Sequence, residues 1–291
     1  MSKAPVVEVS TPYRLLWEPL LRQALAEDLG RAGDVTSEAT VPADLSARAR
    51  FVARKSGRLA GLPMALATFG LLAEGFTFKV EATDGCDVDV GETIAVVTGP
   101  ARALLSAERT ALNLLGHLSG VATVTRGIVR AIAGSQAQVV CTRKTLPGLR
   151  ALQKYAVRAG GGSNHRFGLD DALLIKDNHR LLAGGVEEAI RRARRHAGHM
   201  VKLEVEVDNL ADLDLVLALG VDAILLDNMK PPMLREAVER VAGRAVTEAS
   251  GGITPDTAAE VAATGVDLLS VGWLTHSAPN LDIALDIEPS V

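Results

Sequence analysis

The segment "NHRFGLDDALLIKDNH", residues 164–179, crowds seven ionisable side chains around one short apolar run. The apolar run, residues 173–175, has the length of a single buried strand. Ionisable groups beside a buried strand either pair with one another at the surface or are carried by the strand into a site. We expect His165, Arg166 and Lys176 to contact an anionic ligand, because all three side chains can donate hydrogen bonds to anions.

The remaining polar groups near this segment have simpler interpretations. Asp170, Asp171 and Asp177 are expected to pair with neighbouring cations or to cap turns, since carboxylates accept hydrogen bonds from backbone N–H groups. His179 has no role that the pattern assigns. Cys141 lies within an apolar run with no histidine at a motif spacing, which predicts a buried, inert thiol.

Polar and glycine residues recur at the ends of six short apolar runs in the second half of the chain. In a parallel barrel the functional groups lie at the C-terminal ends of the strands, so these ends should meet. They offer cations from two strands, acids from two strands and glycine-rich loops from the last two. The ends are Thr142-Arg143-Lys144, Lys176-Asp177-Asn178, Glu206-Val207-Asp208, Asp227-Asn228, Ser250-Gly251-Gly252 and Val271-Gly272.

Acidic residues alternate with apolar ones in the run "VKLEVEVD", residues 201–208. With a period of two, the charged residues share one face, and in a barrel that face points inward because the outer face meets helices. Glu204, deeper in the strand, is interpreted as one half of an internal ion pair with a lysine. Glu206, nearer the end, could hold a hydrated Mg²⁺ together with Asp227, either directly or through water.

Two sets of residues predict sites for anions. The Ser250-Gly251-Gly252 and Val271-Gly272 loops favour a phosphate, because glycine lets backbone N–H groups approach and a helix beginning near Thr254 adds its positive end. Ordinary turn glycines are the simpler alternative. A set of cations near the strand ends predicts a polyanionic ligand, and scattered surface charge is the alternative interpretation. The set is Arg143, Lys144, His165, Arg166 and Lys176.

Strand and helix patterns alternate from about residue 135 onward, which predicts parallel βα units. Both a closed barrel and an open doubly wound sheet fit this alternation. The barrel is favoured, because no glycine-rich dinucleotide loop follows the first strand.

Residues 1 to about 110 instead show broken two-residue alternation, which predicts a mainly antiparallel sheet. A helix within residues 12–30 should end at Gly30, and a long helix within residues 106–134 should begin with Ser106 as its N-cap.

Composition bounds the class of protein. The chain has 291 residues, 48% of them hydrophobic, and a net charge of −4 at pH 7, so we expect a sizeable core and no basic surface for nucleic acid. Only two cysteines occur, and no signal peptide or membrane span is evident, which predicts a cytoplasmic protein with no membrane partner.

The segment "TRKTLPGLRALQKYAVRAGGGSNHRFGLDDALLIKDNH", residues 142–179, resembles the signature of the quinolinate phosphoribosyltransferase family. Further matching segments follow in the family's order along nearly the whole chain. They are "EDLGRAGDVTSEAT", "ERTALNLLGHLSGVAT", "LEVEVDN", "ILLDNM", "EASGGI" and "VGWLTHS".

The resemblance implies a fold of class α/β. An N-terminal α/β sandwich domain would comprise residues 1–112, joined by the C-terminal residues 276–291. An incomplete parallel α/β barrel, residues 113–275, would carry the active site. The resemblance also implies a homodimer or higher homo-oligomer, with Arg109 donated to the site of the neighbouring subunit.

The reaction that the resemblance implies joins quinolinate to phosphoribosyl pyrophosphate, giving nicotinate mononucleotide, pyrophosphate and CO₂ for NAD biosynthesis, with Mg²⁺ as cofactor. Arg143, Arg166 and Lys176 would face the two quinolinate carboxylates, with His165 nearby. Thr142 would also contact substrate, and Lys144 would lie on the pyrophosphate side. Glu206 and Asp227 would contact the ribose and the Mg²⁺-bound pyrophosphate. The 5′-phosphate would be held by Ser250, Gly251, Gly252, Val271 and Gly272. Of these, Lys144, Glu206 and Asp227 would be catalytic.

Three alternatives remain at this level. A relative of the same fold, such as the one associated with molybdenum transport, would use a different acceptor, although the complete cation set favours a dicarboxylate. A Schiff-base aldolase would use Lys176 as its nucleophile. A non-catalytic binding protein would have little use for Glu206, Asp227 and two phosphate loops together.

Overall fold

A computed structural model describes residues 6–288 of the chain. The strands are β1 Ser46–Ala53, β2 Gly57–Arg58, β3 Thr77–Val80, β4 Asp87–Val88, β5 Thr93–Pro100, β6 Gln138–Val140, β7 Leu173–Ile175, β8 Leu203–Val207, β9 Ala223–Asp227, β10 Val246–Ser250, β11 Leu268–Ser270 and β12 Ile283–Glu288. The helices are α1 Glu18–Leu29, α2 Val35–Thr40, α3 Leu62–Leu72, α4 Ala101–Ala131, α5 Arg150–Ala159, α6 Asp177–Ala183, α7 Val186–His196, α8 Leu210–Leu219, α9 Pro231–Val241, α10 Pro255–Ala262 and α11 Trp273–His276.

The chain divides into two compact units. The first takes the residues up to 126, then 145–161, and then those from 274 onward; the second takes 127–144 and 162–273. Helix α4 crosses the domain boundary after residue 112 that the sequence predicts. The two compact units are defined by contacts and not by domain boundaries, so the predicted domain boundaries after residues 112 and 275 stay a prediction.

The first unit contains an antiparallel sheet with strand order β12-β1-β5-β3, as the broken alternation predicts, and a two-stranded sheet of β2 and β4. Along β1, Ala49 and Phe51 are fully buried, whereas Arg48 and Arg50 pair with Glu288 on the other face. Aromatic rings from β1, α3 and the segment before β3 pack together in the core of this sheet. The two-residue period of the sequence thus sets which face of the sheet is covered.

Helix α4 begins earlier than the sequence predicts, and the proposed Ser106 N-cap is wrong. The helix begins at Ala101, directly after the last strand residue Pro100. The Ser106 hydroxyl lies inside the helix and donates to the carbonyl oxygen of Arg102 at 2.9 Å and to Asp34 Oδ2 at 3.0 Å. A serine that bonds back to the preceding turn is compatible with a helix interior, so its type alone did not mark the start.

Helix α3 was not predicted, because most of its side chains are apolar and it lacks a polar side-chain cap of its own. Its N-terminal N–H groups are satisfied instead from a distant turn: Asp84 accepts from Gly61 N at 2.7 Å and from Leu62 N at 3.0 Å. Tyr155 also donates its hydroxyl to Asp84 at 2.5 Å. Burial raises the pKa of Asp84, although these hydrogen bonds oppose the shift.

The second unit is a six-stranded, wholly parallel sheet with the order β6-β11-β10-β9-β8-β7. Strands β7 to β11 follow one another in chain order without the reversal that defines a doubly wound sheet. Within the described residues β6 and β7 lie at the two edges and do not pair with each other. The incomplete parallel α/β barrel of the sequence prediction is confirmed, and the doubly wound alternative is wrong.

The observed strands of this barrel lie within the six apolar runs of the sequence, and each strand is shorter than its run by at most three residues. The runs are residues 137–142, 172–176, 202–207, 223–227, 245–250 and 268–272. Between residues 6 and 288, no helix combines the length and the apolar character needed to cross a bilayer.

Candidate active site

The strand register places five of the predicted site residues of the barrel on one face of the parallel sheet. Leu174 lies beside Glu204, and Glu206 lies beside Leu225. Asp227 and Ser270 both lie beside Ser250. Since side chains alternate along a strand, Lys176, Glu206, Asp227, Ser250 and Gly272 all occupy positions in phase on this face, near the C-terminal ends of their strands.

Lys176 and Glu206 form an ion pair between neighbouring strand ends. Nζ of Lys176 donates to Oε2 of Glu206, and the two side chains are 45% and 15% exposed. The backbone N–H of Lys176 donates to Nδ1 of His179 at 2.9 Å, as part of a capping box at the start of α6. His179, which the sequence left without a role, therefore fixes the backbone that carries Lys176.

His165 lies between two buried carboxylates. Its Nε2 is 2.7 Å from Oε2 of Glu204 and 3.7 Å from Oε2 of Glu248. Glu204 and Glu248 are almost completely buried, and the Oε1 atom of each has no hydrogen-bond partner among the described residues. The histidine and the two glutamates, called the buried triad below, come from β8, β10 and the loop before β7.

The buried triad corrects one prediction and adds one residue that the sequence analysis missed. Glu204 has an internal partner, as expected, but the partner is His165 and not a lysine. Glu248 was not singled out, although an acid inside the apolar run of residues 245–250 was a signal that could have been used. The contact joins β8 to β10, which the sequence alone does not bring together.

The pKa of Glu248 is raised to about 7. Burial is the main cause, and the negative charge of Glu204 adds to it. His165, the Ser270 hydroxyl and Lys176 each oppose the shift by stabilising the ionised carboxylate. Glu248 thus takes up or releases a proton near neutral pH, inside the barrel.

Arg166 and Arg143 bring two guanidinium groups close enough to affect each other. Nη1 of Arg166 donates to the carbonyl oxygen of Ala172 at 2.8 Å, and its buried Nε has no hydrogen-bond partner among the described residues. Burial and the charge of Arg143 both lower the pKa of Arg166. A bound anion would relieve both costs, since an arginine fork matches a carboxylate with two parallel hydrogen bonds.

A short turn holds Arg166 beside β7. Asp171 accepts from Phe167 N at 2.6 Å and from Gly168 N at 3.0 Å, and these hydrogen bonds lower its pKa although burial raises it. Asp177 likewise accepts from Asn178 N at 2.7 Å. Of the three aspartates of the opening segment, Asp171 caps a backbone turn, as the sequence predicts, whereas Asp177 contacts only the next residue in the first turn of α6.

Thr142, Lys144 and Gly272 lie together after β6 and β11. The Lys144 backbone N–H donates to Oγ1 of Thr142 at 2.9 Å. A Cβ on Gly272 would lie 3.0 Å from Cδ of Lys144 and 3.4 Å from Oγ1 of Thr142. Glycine at 272 therefore leaves room for the lysine side chain to lie across the strand end.

The loop after β10 is shaped by Asn228 and Gly251. Gly251 has φ +100°, and a Cβ there would lie 2.1 Å from Oδ1 of Asn228. Asn228, itself at φ 54°, donates its backbone N–H to Ser250 O at 2.8 Å and its amide to Oδ2 of Asp227 at 2.7 Å. The exposed Gly251 and Gly252 are followed by Thr254, the N-cap of α10, so backbone N–H groups and a helix N-terminus are available to an anion.

Arg109, by contrast, belongs to the first unit. It lies on α4 with a side chain that is 66% exposed, and its Nη2 is 4.0 Å from Oε1 of Glu108. One chain does not test whether Arg109 serves a neighbouring subunit, so this role stays a prediction. The other predicted residues, from Thr142 to Gly272, belong to the second unit.

Two groups of side chains have the ligand atoms that a divalent cation needs. Glu206 and Asp227 stand on neighbouring strands, on the same face, and their oxygens are the kind of ligand that Mg²⁺ prefers. Their protein partners, Lys176 and Asn228, are a flexible side chain and a neutral amide, so these residues fit the expected metal. The buried triad also groups three potential ligand atoms within 4.8 Å of one another.

Two family models match the chain. The model of the quinolinate phosphoribosyl transferase N-terminal domain matches residues 34–119, and that of the C-terminal domain matches residues 121–286. Together they account for most of the chain, including every predicted site residue.

Individual proteins of the same family are similar over almost the full length. The chain is 48% identical to the nicotinate-nucleotide pyrophosphorylase [carboxylating] of Mycobacterium leprae, over 92% of this chain and 95% of the relative. It is 45% identical to a probable nicotinate-nucleotide pyrophosphorylase [carboxylating] of Bacillus subtilis, over 93% of both chains. The crystal structure of NadC from Streptococcus pyogenes superposes with a TM-score of 0.93, at 38% identity, over 96% of this chain and 99% of that one.

Proposed function

The chain belongs to the quinolinate phosphoribosyltransferase family, and on this premise we propose how its residues carry out the reaction. The enzyme converts quinolinate and phosphoribosyl pyrophosphate to nicotinate mononucleotide, pyrophosphate and CO₂, a step of NAD biosynthesis. The single observation that carries the assignment of roles is the grouping of cations, acids and glycine loops on one face of the barrel sheet, at the C-terminal strand ends.

Quinolinate is a planar dicarboxylate, and the cations around β7 are suited to it. Arg143 and Arg166 repel each other, and their contacts within the protein offset this repulsion only in part. An anionic carboxylate would therefore stabilise both guanidinium groups. Lys176 adds a point charge at the strand end, and His165 adds a ring N–H donor. The assignment of these four side chains to quinolinate is supported by their charge and by their common location.

Phosphoribosyl pyrophosphate would lie across the other strand ends. Its 5′-phosphate is assigned to Ser250, Gly251, Gly252, Val271 and Gly272, where backbone N–H groups approach without a Cβ and α10 presents its N-terminus. Lys144, beside Thr142 and Gly272, is assigned to the pyrophosphate. Glu206 and Asp227 are assigned to the ribose hydroxyls and to a cation that the pyrophosphate carries.

Glu206 and Asp227 would hold Mg²⁺, directly or through water. A bound Mg²⁺ supplies positive charge that stabilises the leaving pyrophosphate. The positive charge of Lys144 would also stabilise the leaving pyrophosphate. The two carboxylates also favour the positive charge that develops at the ribose carbon as its bond to pyrophosphate breaks.

Positioning completes the catalytic argument. The arginines and Lys176 hold the ring so that its nitrogen faces the ribose carbon, which replaces a random encounter with an ordered one. After the new bond forms, the ring nitrogen is positively charged and stabilises the electron pair that stays on the adjacent ring carbon when its carboxylate leaves as CO₂; that carbon then takes up a proton from water. No side chain needs to form a covalent intermediate in this scheme.

We further place the enzyme in the cytoplasm as a homodimer or higher homo-oligomer. The two cysteines of the chain are free, which suits a reducing compartment. Arg109 is exposed on α4 and is assigned to the quinolinate site of the neighbouring subunit. Each site would then be complete only in the oligomer.

The proposal is tested by measuring pyrophosphate release from phosphoribosyl pyrophosphate and Mg²⁺ with either quinolinate or nicotinate as acceptor. We expect turnover with quinolinate and little with nicotinate, because nicotinate lacks the second carboxylate. Equal rates with both acceptors would contradict the role of the cation set. Treatment with borohydride and a carbonyl substrate should trap no adduct at Lys176, and a trapped adduct would favour the aldolase alternative.

A further inference from the structure

The buried triad combines three groups whose charges matter to any ligand beside His165. Nε2 of His165 is 2.7 Å from Oε2 of Glu204, a distance typical of a charge-assisted hydrogen bond, and 3.7 Å from Oε2 of Glu248. The His165 side chain is 14% exposed, so only part of its ring reaches the open face. The two carboxylates lie behind the histidine, in the interior of the sheet.

Both carboxylates leave an oxygen atom unsatisfied. Oε1 of Glu204 and Oε1 of Glu248 are buried and have no hydrogen-bond partner in the described part of the chain. An ionised, buried carboxylate with a missing donor is costly unless a positive charge lies nearby. The nearest titratable group on which such a charge can reside is the imidazole that contacts both.

A divalent cation is a poorer answer to this buried negative charge. Arg166 lies within electrostatic range of Glu204, and Lys176 within range of Glu248, so two cations already face the carboxylates. Lys176, however, is paired with Glu206, so the two buried carboxylates and Arg166 together carry one negative charge. A protonated His165 balances that charge, whereas a divalent ion would leave an excess of one positive charge in the interior. The same excess would stand beside Arg143, which faces Arg166.

We propose that Glu204 and Glu248 are positioning residues that hold His165 as an imidazolium ion, so that the ring adds a positive charge toward an anionic ring substituent of the acceptor. This inference rests on the proposed function, because it assigns His165 to the quinolinate side of the site. Glu204 orients the ring through the short hydrogen bond. Glu248 supplies a second carboxyl group behind it, whose pKa is raised to about 7 by burial and by Glu204 and lowered by the charge of His165, so that its negative charge is present at pH 7.5.

The charge of His165 is measured without substrate by ¹⁵N NMR of the histidine-labelled protein. The chain has six histidines, so His165→Gln identifies the signal of interest. We expect the His165 nitrogens to show the imidazolium signature at about pH 7.5, a full unit above the ordinary pKa of about 6.5. In Glu204→Gln, which keeps the shape and a hydrogen-bonding oxygen, the signal should change to that of a neutral ring.

The consequence for the ligand is measured by calorimetric binding of quinolinate and by steady-state kinetics. We expect Glu204→Gln to weaken quinolinate binding by about 10- to 100-fold, with a smaller effect from Glu248→Gln and with the KM for phosphoribosyl pyrophosphate nearly unchanged. Glu239→Gln, which removes a negative charge from the exposed face of α9, is the matched control and should leave both values unchanged.

The two measurements separate this inference from the proposed function. A neutral His165 in the wild-type protein at pH 7.5, or an imidazolium signal that survives in Glu204→Gln, would overturn the role of the glutamates even if quinolinate is turned over. An imidazolium signal together with a failure to bind quinolinate would instead contradict the assigned substrate. If Glu204→Gln does not fold, the wild-type signal and Glu248→Gln still decide the question.

Discussion

Nζ of Lys176 donates a hydrogen bond to Oε2 of Glu206 across the ends of β7 and β8. The contact joins the residue assigned to the quinolinate carboxylates with a residue assigned to the ribose and Mg²⁺. On the proposed assignments the two substrates meet at this pair, which connects the two halves of the site. Because Lys176 is nearly half-exposed and Glu206 is not, the lysine is the partner that can move when ligands bind.

Lys176→Ala should raise the KM for quinolinate by about tenfold or more, since a charged hydrogen bond to a carboxylate is lost. The matched control is Lys202→Ala. Lys202 also pairs with an acid, Asp222, but it precedes the start of β8 and its side chain is 79% exposed. We expect steady-state kinetics to show no comparable change in this control, and an equal effect of both variants would contradict the assignment of Lys176.

The stability of the protein should depend on pH through Glu248. Its pKa is raised from 4.5 to about 7 in the folded state, so between these values the folded protein keeps a proton that the unfolded chain releases. The free energy of unfolding should therefore fall as the pH rises from about 4.5 to about 7, and level off above. In Glu248→Gln this decline should be absent, giving a gain over wild type that grows to at most about 3 kcal/mol by pH 8.

Urea unfolding of both proteins at about pH 5 and about pH 8 measures this difference. Glu239→Gln serves again as the control for removal of an acid, and should track the wild type at both values. A constant difference between Glu248→Gln and the wild type at the two pH values would contradict the titration of Glu248 in this range.

The elements of the barrel are readable from the sequence, but the contacts within the site are only partly so. Each strand is a short apolar run bounded by glycine or polar residues, and such local signals also gave Lys176, Glu206 and Asp227 as strand-end residues. The contact of His165 with Glu204 and Glu248 depends on strand order and register, which are not local properties. For the same reason the sequence assigned Glu204 a lysine as partner, and the acid of β10 passed unnoticed.

Gly251→Ala should impair the phosphate loop through a steric clash, in addition to the strain of its backbone conformation. The new Cβ would lie 2.1 Å from Oδ1 of Asn228, which holds Asp227 and Ser250 in place. The control Gly243→Ala has a comparable positive φ, +73°, but no heavy atom within 4 Å of the new Cβ. Both variants should lose about 1–2 kcal/mol of stability from backbone strain.

Only Gly251→Ala should in addition raise the KM for phosphoribosyl pyrophosphate, by about tenfold. Kinetics at saturating quinolinate, beside thermal unfolding of both variants, measures the two effects separately. An unchanged KM in a folded Gly251→Ala protein would argue against a phosphate at this loop.

The donation of Arg109 across an interface predicts complementation between two inactive variants. Arg109→Ala and Lys144→Ala should each be inactive alone, but a mixed dimer contains one site in which both residues are intact. With random exchange of subunits, half of the dimers are mixed and each has one of two sites restored, so about a quarter of wild-type activity should return. Mass spectrometry of differently labelled subunits verifies the exchange. If exchange is complete and no activity returns, Arg109 acts within its own subunit or not at all in the site, because only a shared site can be rebuilt from two defective chains.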